Sequence, residues 1–304
     1  MDFTRRVSTF SIVARDAVTG DLGVAVASKF LAVGAVVPWV MAGVGAVATQ
    51  SYANTSFGPR ALEVMKAGWK LEDIAAEFAA NDTDYQQRQY GLVNSSGDAF
   101  SFTGNMCHAW AGGRAARAER GMDGNMGAGY AAQGNLLTGA EVVDALAETF
   151  EQNSSLPFPE RLLASLLAAD QAGGDARGRQ SAALYVARVA GGYAGFNDRM
   201  IDLRVDDHSD PIPELQRLLS IHRLLFERLS LEKLIPLEGE TALRLERVLV
   251  KAGVLKSVPG ENWCDESQQA LLALAGVENL EERMVEAGKI DPVVLEYLER
   301  KFGM

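Results

Sequence analysis

The sequence is poor in the residue types that build disulfides and metal centres. It holds two cysteines, Cys107 and Cys264, and three histidines, His108, His208 and His222, in 304 residues. The cysteines lie far apart, so a disulfide is not expected. The histidines lack ligand spacing, which disfavours a zinc hydrolase. No metal and no other cofactor is expected. Positive charge is also scarce: 29 lysines and arginines against 40 acidic residues leave a net charge of −11. With no surplus to neutralise phosphates, general nucleic-acid binding is excluded. No apolar run is long enough to span a bilayer, so no membrane partner is expected. The first residues, M-D-F-T-R-R-V-S, have no apolar signal core, and a cytoplasmic location is the default expectation. Internal repeats and low-complexity tracts are missing too.

What is present is a globular composition, 48% hydrophobic and 23% charged, with room for roughly two domains of about 150 residues. The stretch from Val7 to Lys29 reads as a hairpin. Alternation puts Thr9, Ser11 and Val13 on one face and Phe10, Ile12 and Ala14 on the other. Thr19-Gly20-Asp21 supplies turn chemistry, and Leu22 to Ser28 returns as a strand. Gly43 to Ser51 is a further strand. Helices are expected over Arg60 to Ala67, with Ser56 as cap, and over Leu71 to Ala80. A second hairpin spans Tyr90 to Asn94 and Ala99 to Thr103. The region from Gly104 to Asn135, rich in glycine, asparagine and alanine, reads as a helix-free loop.

Thr138 and Glu141 form a capping-box pattern for a helix through Phe150, and Pro157 to Ala172 is a second amphipathic helix. Strands follow at Gln180 to Val189 and Met200 to Val205, then a helix opened by Asp210-Pro211. The order of strands, helix pair, strands, helix pair, strands fits two antiparallel sheets between helix layers. The expected fold is α+β, a four-layer αββα sandwich over residues 1–228. A small helical domain over 229–304 follows, its last helix capped by Asp291.

Local motifs carry less. Gly43-Val44-Gly45-Ala46-Val47-Ala48 matches a dinucleotide fingerprint, but strand-forming residues run through it and no helix opens at Ala48, so the motif is rejected. The N-x-S/T sequons at Asn54, Asn81, Asn94 and Asn153 carry no meaning without export. Cys107-His108 points to opposite faces of an extended chain, which favours a structural role. The polar clusters at strand ends are more informative. Lys29 ends one strand beside the start of its partner, and Thr49-Gln50-Ser51 ends another. Gln133 and Asn135 sit in the glycine-rich region, and Asp175, Arg177 and Ser181 precede a strand. Such clusters are where sites form.

Together, S-T-F-S-I-V-A-R-D, G-V-A-V-A-S-K, A-T-Q-S-Y-A-N, G-Y-A-A-Q-G-N and G-D-A-R-G-R-Q-S-A-A-L resemble an uncharacterised bacterial family. That family is classed as a domain of unknown function with the N-terminal-nucleophile (Ntn) hydrolase fold. The resemblance covers Val7 to His222. The stretch from G-E-N-W-C-D to I-D-P-V-V-L-E-Y-L resembles a module described as peptidoglycan-binding that often follows this domain.

The resemblance implies a nucleophile at the start of the first strand, with its own free amine as base. Thr9 matches that position best and Ser8 second. Lys29 is implied as the cation that lowers the hydroxyl's pKa, with Ser28 as its neighbour. Backbone amides near Thr49, Gln50 and Ser51 are implied as oxyanion donors, and Asp175 as the acid that orients the terminal amine. Gln133 and Asn135 would line the pocket, and Arg177 joins the substrate-binding set. Thr9 is internal, so eight residues must be removed to expose its amine.

The first reading is therefore a hydrolase of an amide bond in a small-molecule substrate. The alternative is a catalytically silent ligand-binding or interaction protein with the same fold. The C-terminal module would engage a glycan such as peptidoglycan, and a homo-oligomer is the expected assembly.

Overall fold

Alternation decides the first hairpin. β1 (Thr9–Arg15) and β2 (Leu22–Ser28) pair antiparallel, with Phe10 opposite Ala27 and Arg15 opposite Leu22. Asp16 closes the turn: its Oδ1 accepts from the backbone amides of Val18 and Thr19 at 3.0 and 2.7 Å. Gly20, at φ 74°, takes the left-handed position that a side chain would disfavour. The computed structural model describes residues 9–119, 127–227, 231–258 and 262–303.

The hairpin sits in the middle of a six-stranded antiparallel sheet. Its other strands are β7 (Gly112–Ala116), β8 (Gly129–Asn135), β9 (Ser181–Ala187) and β10 (Arg199–Val205), in the order β10-β9-β2-β1-β8-β7. A second sheet has β3 (Pro38–Met41), β4 (Gly45–Ser51), β5 (Arg88–Asn94) and β6 (Ala99–Thr103) in sequential order. One buried cluster joins the sheets: Val13, Val24 and Val26 of the first with Ala46, Ala48 and Val93 of the second. The face of β1 that carries Thr9, Ser11 and Val13 is thus the inter-sheet face.

Helices cover both sheets. α1 (Phe57–Lys66) and α2 (Leu71–Asn81) bury Leu62, Ile74 and Phe78 with Val47, Tyr90 and Leu92 of the four-stranded sheet. α3 (Glu141–Gln152) and α4 (Phe158–Gln171) lie on the six-stranded sheet. Tyr130 of β8 stands 5.4 Å from Phe150, and a side chain at Gly23 would meet Leu162 and Phe158. Each such large apolar side chain contributes about 1.5–3 kcal/mol by leaving water.

Several expectations need correction. The region read as a loop holds β7 and β8, and β8 is a central strand paired to β1 from Thr9–Asn135 to Arg15–Gly129. Its G-Y-A-A-Q-G-N sequence has weak strand propensity; pairing on both sides and burial override it. β3 lies in a valine-rich stretch assigned no element. Finally, the capping box at Thr138 and Glu141 does not form, since α3 opens after Ala140 with no side-chain cap, and neither does Ser56 cap α1. Ser56 instead donates to Asn54 Oδ1 at 2.6 Å.

The chain divides into two compact units between Leu218 and Leu219, inside α5 (Pro211–Phe226). The far half of this helix supplies Leu224 to the core of the second unit, which α6 (Gly239–Lys251), α7 (Asp265–Glu278) and α8 (Pro292–Phe302) complete. Asp291 caps α8 as expected, accepting from Val293 N–H at 2.9 Å, and its other oxygen pairs with buried Arg283 at 2.8 Å. The fold is α+β with a helical C-terminal region. Among the described residues no helix is long and apolar enough to cross a membrane.

Candidate functional site

The inter-sheet face changes character along its length, apolar around Val13 and polar at the end of β1. Antiparallel pairing sets Asn135 opposite Thr9 and Gln133 opposite Ser11, while Ser181 of β9 lies opposite Ser28. The facing sheet aligns Gln50, Gln89 and Thr103 in the same way. Thr9 Oγ1 donates to Ser28 Oγ at 3.2 Å. Ser11 Oγ donates to Gln50 Oε1 at 2.6 Å and accepts from Gln133 Nε2 at 2.7 Å. Gln50 Nε2 holds the Thr9 carbonyl at 3.2 Å and Gln89 Oε1 at 2.8 Å, and Asn135 Nδ2 reaches the same Gln89 oxygen at 2.9 Å. Buried amides and hydroxyls at this density fix one another's rotamers.

Gln133 leaves an acceptor over. Among the described residues Gln133 Oε1 is buried without a hydrogen-bond partner. It lies where a side chain on Gly91 would be, 2.2 Å from the position of a Cβ there. Glycine at residue 91 is therefore what lets a glutamine from one sheet lie against the other.

Thr9 lies at the edge of this network and opens onto a cavity of about 420 Å³, lined also by Gln50, Ser51, Phe30, Val33, Val37 and Arg88. That is within the usual size range of small-molecule sites. A regular strand would point Gln50 and Ser51 to opposite faces, yet both line the cavity. Ser51 has a left-handed backbone, φ 69°, a conformation costing a serine about 1 kcal/mol or more. Its hydroxyl is buried with no well-formed hydrogen bond among the described residues. Strain and an unsatisfied hydroxyl coincide beside Thr9, which is how a ligand site differs from ordinary core.

Arg88 is the cation of the cavity wall. Its guanidinium forks onto Asp82, Nε to Oδ2 at 2.9 Å and Nη2 to Oδ1 at 3.2 Å, and Nη1 donates to the Tyr52 carbonyl at 2.6 Å. This pairing, aided by Asn54, holds the Asp82 carboxyl down at about 2. Arg88 thereby pins the chain just past Ser51. Nearby, the Cys107 thiol donates to the Arg88 carbonyl at 3.3 Å. Burial pushes its pKa up, with the Ser51 hydroxyl acting in the opposite sense. A thiol held protonated is no nucleophile. His108 Nε2 pairs with the Tyr52 hydroxyl at 3.2 Å.

Of the residues expected from the sequence, the structure gathers Thr9, Ser28, Gln50, Ser51, Gln133 and Asn135. Gln133 and Asn135 brace the network rather than line the cavity. Ser8 lies outside the described residues. Thr49 is on the other face of β4: its hydroxyl donates to the Asn54 carbonyl at 3.2 Å, and its amide, expected as an oxyanion donor, is taken by the Val37 carbonyl at 3.1 Å.

Lys29 departs most from expectation. It follows Ser28 and so points away from the inter-sheet face. Its ammonium is exposed and donates to the Arg179 carbonyl at 3.1 Å. Asp175 meets Lys29 through the main chain, accepting from its N–H at 2.7 Å. The same carboxylate pairs with Arg177 at 2.9 Å and lines a separate cavity of about 280 Å³.

Comparison with known proteins adds a family. Residues 9–215 match the one described as "Family of unknown function (DUF1028)". The chain belongs to this family. A crystal structure of a DUF1028 protein from Silicibacter pomeroyi is 31% identical, with a TM-score of 0.61 over 71% of this chain and 89% of that one. No curated protein matches. Residues 225–298 match a second family, described as "Putative peptidoglycan binding domain". The DUF1028 match begins at Thr9, the first residue of β1 and one of those that line the cavity. Within this domain, sequence reasoning missed Ser11, Gln89 and Arg88. Ser11 carried a signal, a polar residue at an inward position of an apolar strand. Arg88, at a strand end, carried none.

Proposed function

We propose that the DUF1028 domain is an Ntn-type hydrolase of a carboxylic amide, with Thr9 as nucleophile once residues 1–8 are removed. In this reading the two sheets and their helix pairs are the four-layer αββα sandwich of that class. The observation that carries the reading is the position of Thr9. It starts a central strand, its hydroxyl is hydrogen-bonded to Ser28, and it lines a cavity of about 420 Å³ beside the strained Ser51.

The chemistry follows from those groups. With its amine free, Thr9 supplies both nucleophile and base: Oγ1 bonds to the amide carbon while the hydroxyl proton passes to the amine. The carbon–nitrogen bond then breaks, the departing nitrogen takes that proton, and an ester to Thr9 remains. Water, deprotonated by the same amine, opens the ester to release the acid and regenerate the hydroxyl. Charge developing on the carbonyl oxygen calls for donors at the Ser51 end of β4. Gln50 acts as a positioning residue through the Thr9 carbonyl, and Asp175 through the main chain of Lys29.

The test is a screen of amides with wild type and Thr9→Ala. The reading expects hydrolysis by wild type and a loss of at least about 100-fold in the variant. A Thr9→Ala protein of full activity refutes it. Binding without catalysis is the second reading, favoured by the eight residues that precede Thr9 in the sequence. For residues 225–298 the family match supports a glycan partner, and retention of the full chain on purified sacculi checks it.

A further inference from the structure

The lining of the Thr9 cavity is uneven in chemistry. Its polar groups cluster at Thr9, Gln50 and Ser51, and much of the rest is hydrocarbon from Phe30, Val33, Val36 and Val37, all between β2 and β3. That segment is built rather than loose. Ser181, in the row of Ser28, accepts from Val33 N–H at 3.1 Å and donates to the Phe30 carbonyl at 2.5 Å. The Val37 carbonyl is held by Thr49 N–H at 3.1 Å, and Ala32 N–H by the Asp206 carbonyl at 2.9 Å. A wall fixed at four points loses little freedom when a ligand meets it.

The electrostatics point the same way. Among the described residues no carboxylate lines the cavity, and the one cation that does, Arg88, is already neutralised by the fork onto Asp82. A charged substrate group would lose water there and find no free counter-charge. A hydrocarbon group would gain about 25 cal/mol for each Å² it buries.

We infer that this site takes amides carrying an uncharged alkyl or aryl group, seated against Phe30, Val33, Val36 and Val37, and rejects those ending in a carboxylate or ammonium. The inference rests on the reading of Thr9 as the reactive centre, since it orients the amide toward that residue. Ser181 is a positioning residue for the hydrocarbon wall.

Hexanamide, adipamate and 6-aminohexanamide share a chain length and differ in terminal charge. Their affinities for the full chain are measured by ligand-observed NMR, and their hydrolysis by ammonia release from the chain that begins at Thr9. Hexanamide is expected to bind at least tenfold more tightly than either charged amide. Val36→Lys, at a half-buried position, is expected to turn that preference toward adipamate. Should that variant not fold, Phe30→Ala is expected to weaken hexanamide several-fold and leave the charged amides unchanged. Hexanamide binding no better than the charged pair, or not at all, overturns the inference. Preferred ammonia release from a charged amide overturns it while sparing the hydrolase reading. Tight hexanamide binding with no ammonia released from a chain that begins at Thr9 does the reverse.

Discussion

Thr9 Oγ1 donates a 3.2 Å hydrogen bond to Ser28 Oγ, joining the first residue of β1 to the last of β2. The bond sits where the inter-sheet space turns from apolar to polar, and where a cavity reaches the sheet. Removing the acceptor tests its contribution. Ser28→Ala is expected to cost about 1 kcal/mol of stability and to lower kcat/KM on the best amide substrate by roughly tenfold, an effect of similar energy on the reacting hydroxyl. Denaturant titration and steady-state kinetics read the two effects separately.

Gly91 and Gln133 offer a test of the network below. A Cβ at residue 91 would lie 2.2 Å from Gln133 Oε1 and 2.8 Å from its Cδ, so Gly91→Ala is expected to destabilise by about 1–3 kcal/mol through overpacking. Shortening the glutamine makes the room. The double variant Gly91→Ala, Gln133→Ala is therefore expected to be more stable than the sum of the single changes implies. Additive effects would contradict the contact.

The fork between Arg88 and Asp82 sets a pH dependence. The Asp82 carboxyl lies at about 2 in the fold against an ordinary 3.8. A lowered carboxylate pKa stabilises fully above the ordinary value and loses that contribution as pH falls through the folded one. The stability advantage of wild type over Asp82→Asn is thus expected to be complete above about pH 4 and to disappear toward pH 2. Melting temperatures across that range check it.

In the C-terminal unit, Arg283 and Asp291 are both buried and joined at 2.8 Å, and Arg283 also donates to the Leu224 carbonyl at 2.7 Å. Arg283→Met strands the carboxylate and that carbonyl, and is expected to cost about 3–5 kcal/mol. Hydrogen exchange on the full chain is expected to localise the loss to α6, α7 and α8.

Periodicity alone makes much of this architecture legible. The split of β1 into a Thr9–Ser11–Val13 face and a Phe10–Ile12–Ala14 face follows from alternation alone, and it is the inter-sheet face that carries Thr9. Where the sequence misled, tertiary context decided. β8 has alanine and glycine where a strand usually has branched residues, so only its position between β1 and β7 makes it one. Lys29 looked like a partner for Thr9 because it is close in the hairpin, but strand alternation turns it away from Ser28. Ser51, Arg88 and the wall from Phe30 to Val37 come together through the ends of separate strands, and no local pattern encodes that meeting.

The central claim is that Thr9 acts with a free amine, and the mass of the active protein tests it most directly. Intact-mass spectrometry on the fraction that hydrolyses amides is expected to find a chain beginning at Thr9. Amide hydrolysis by a chain that still carries residues 1–8 would contradict the account.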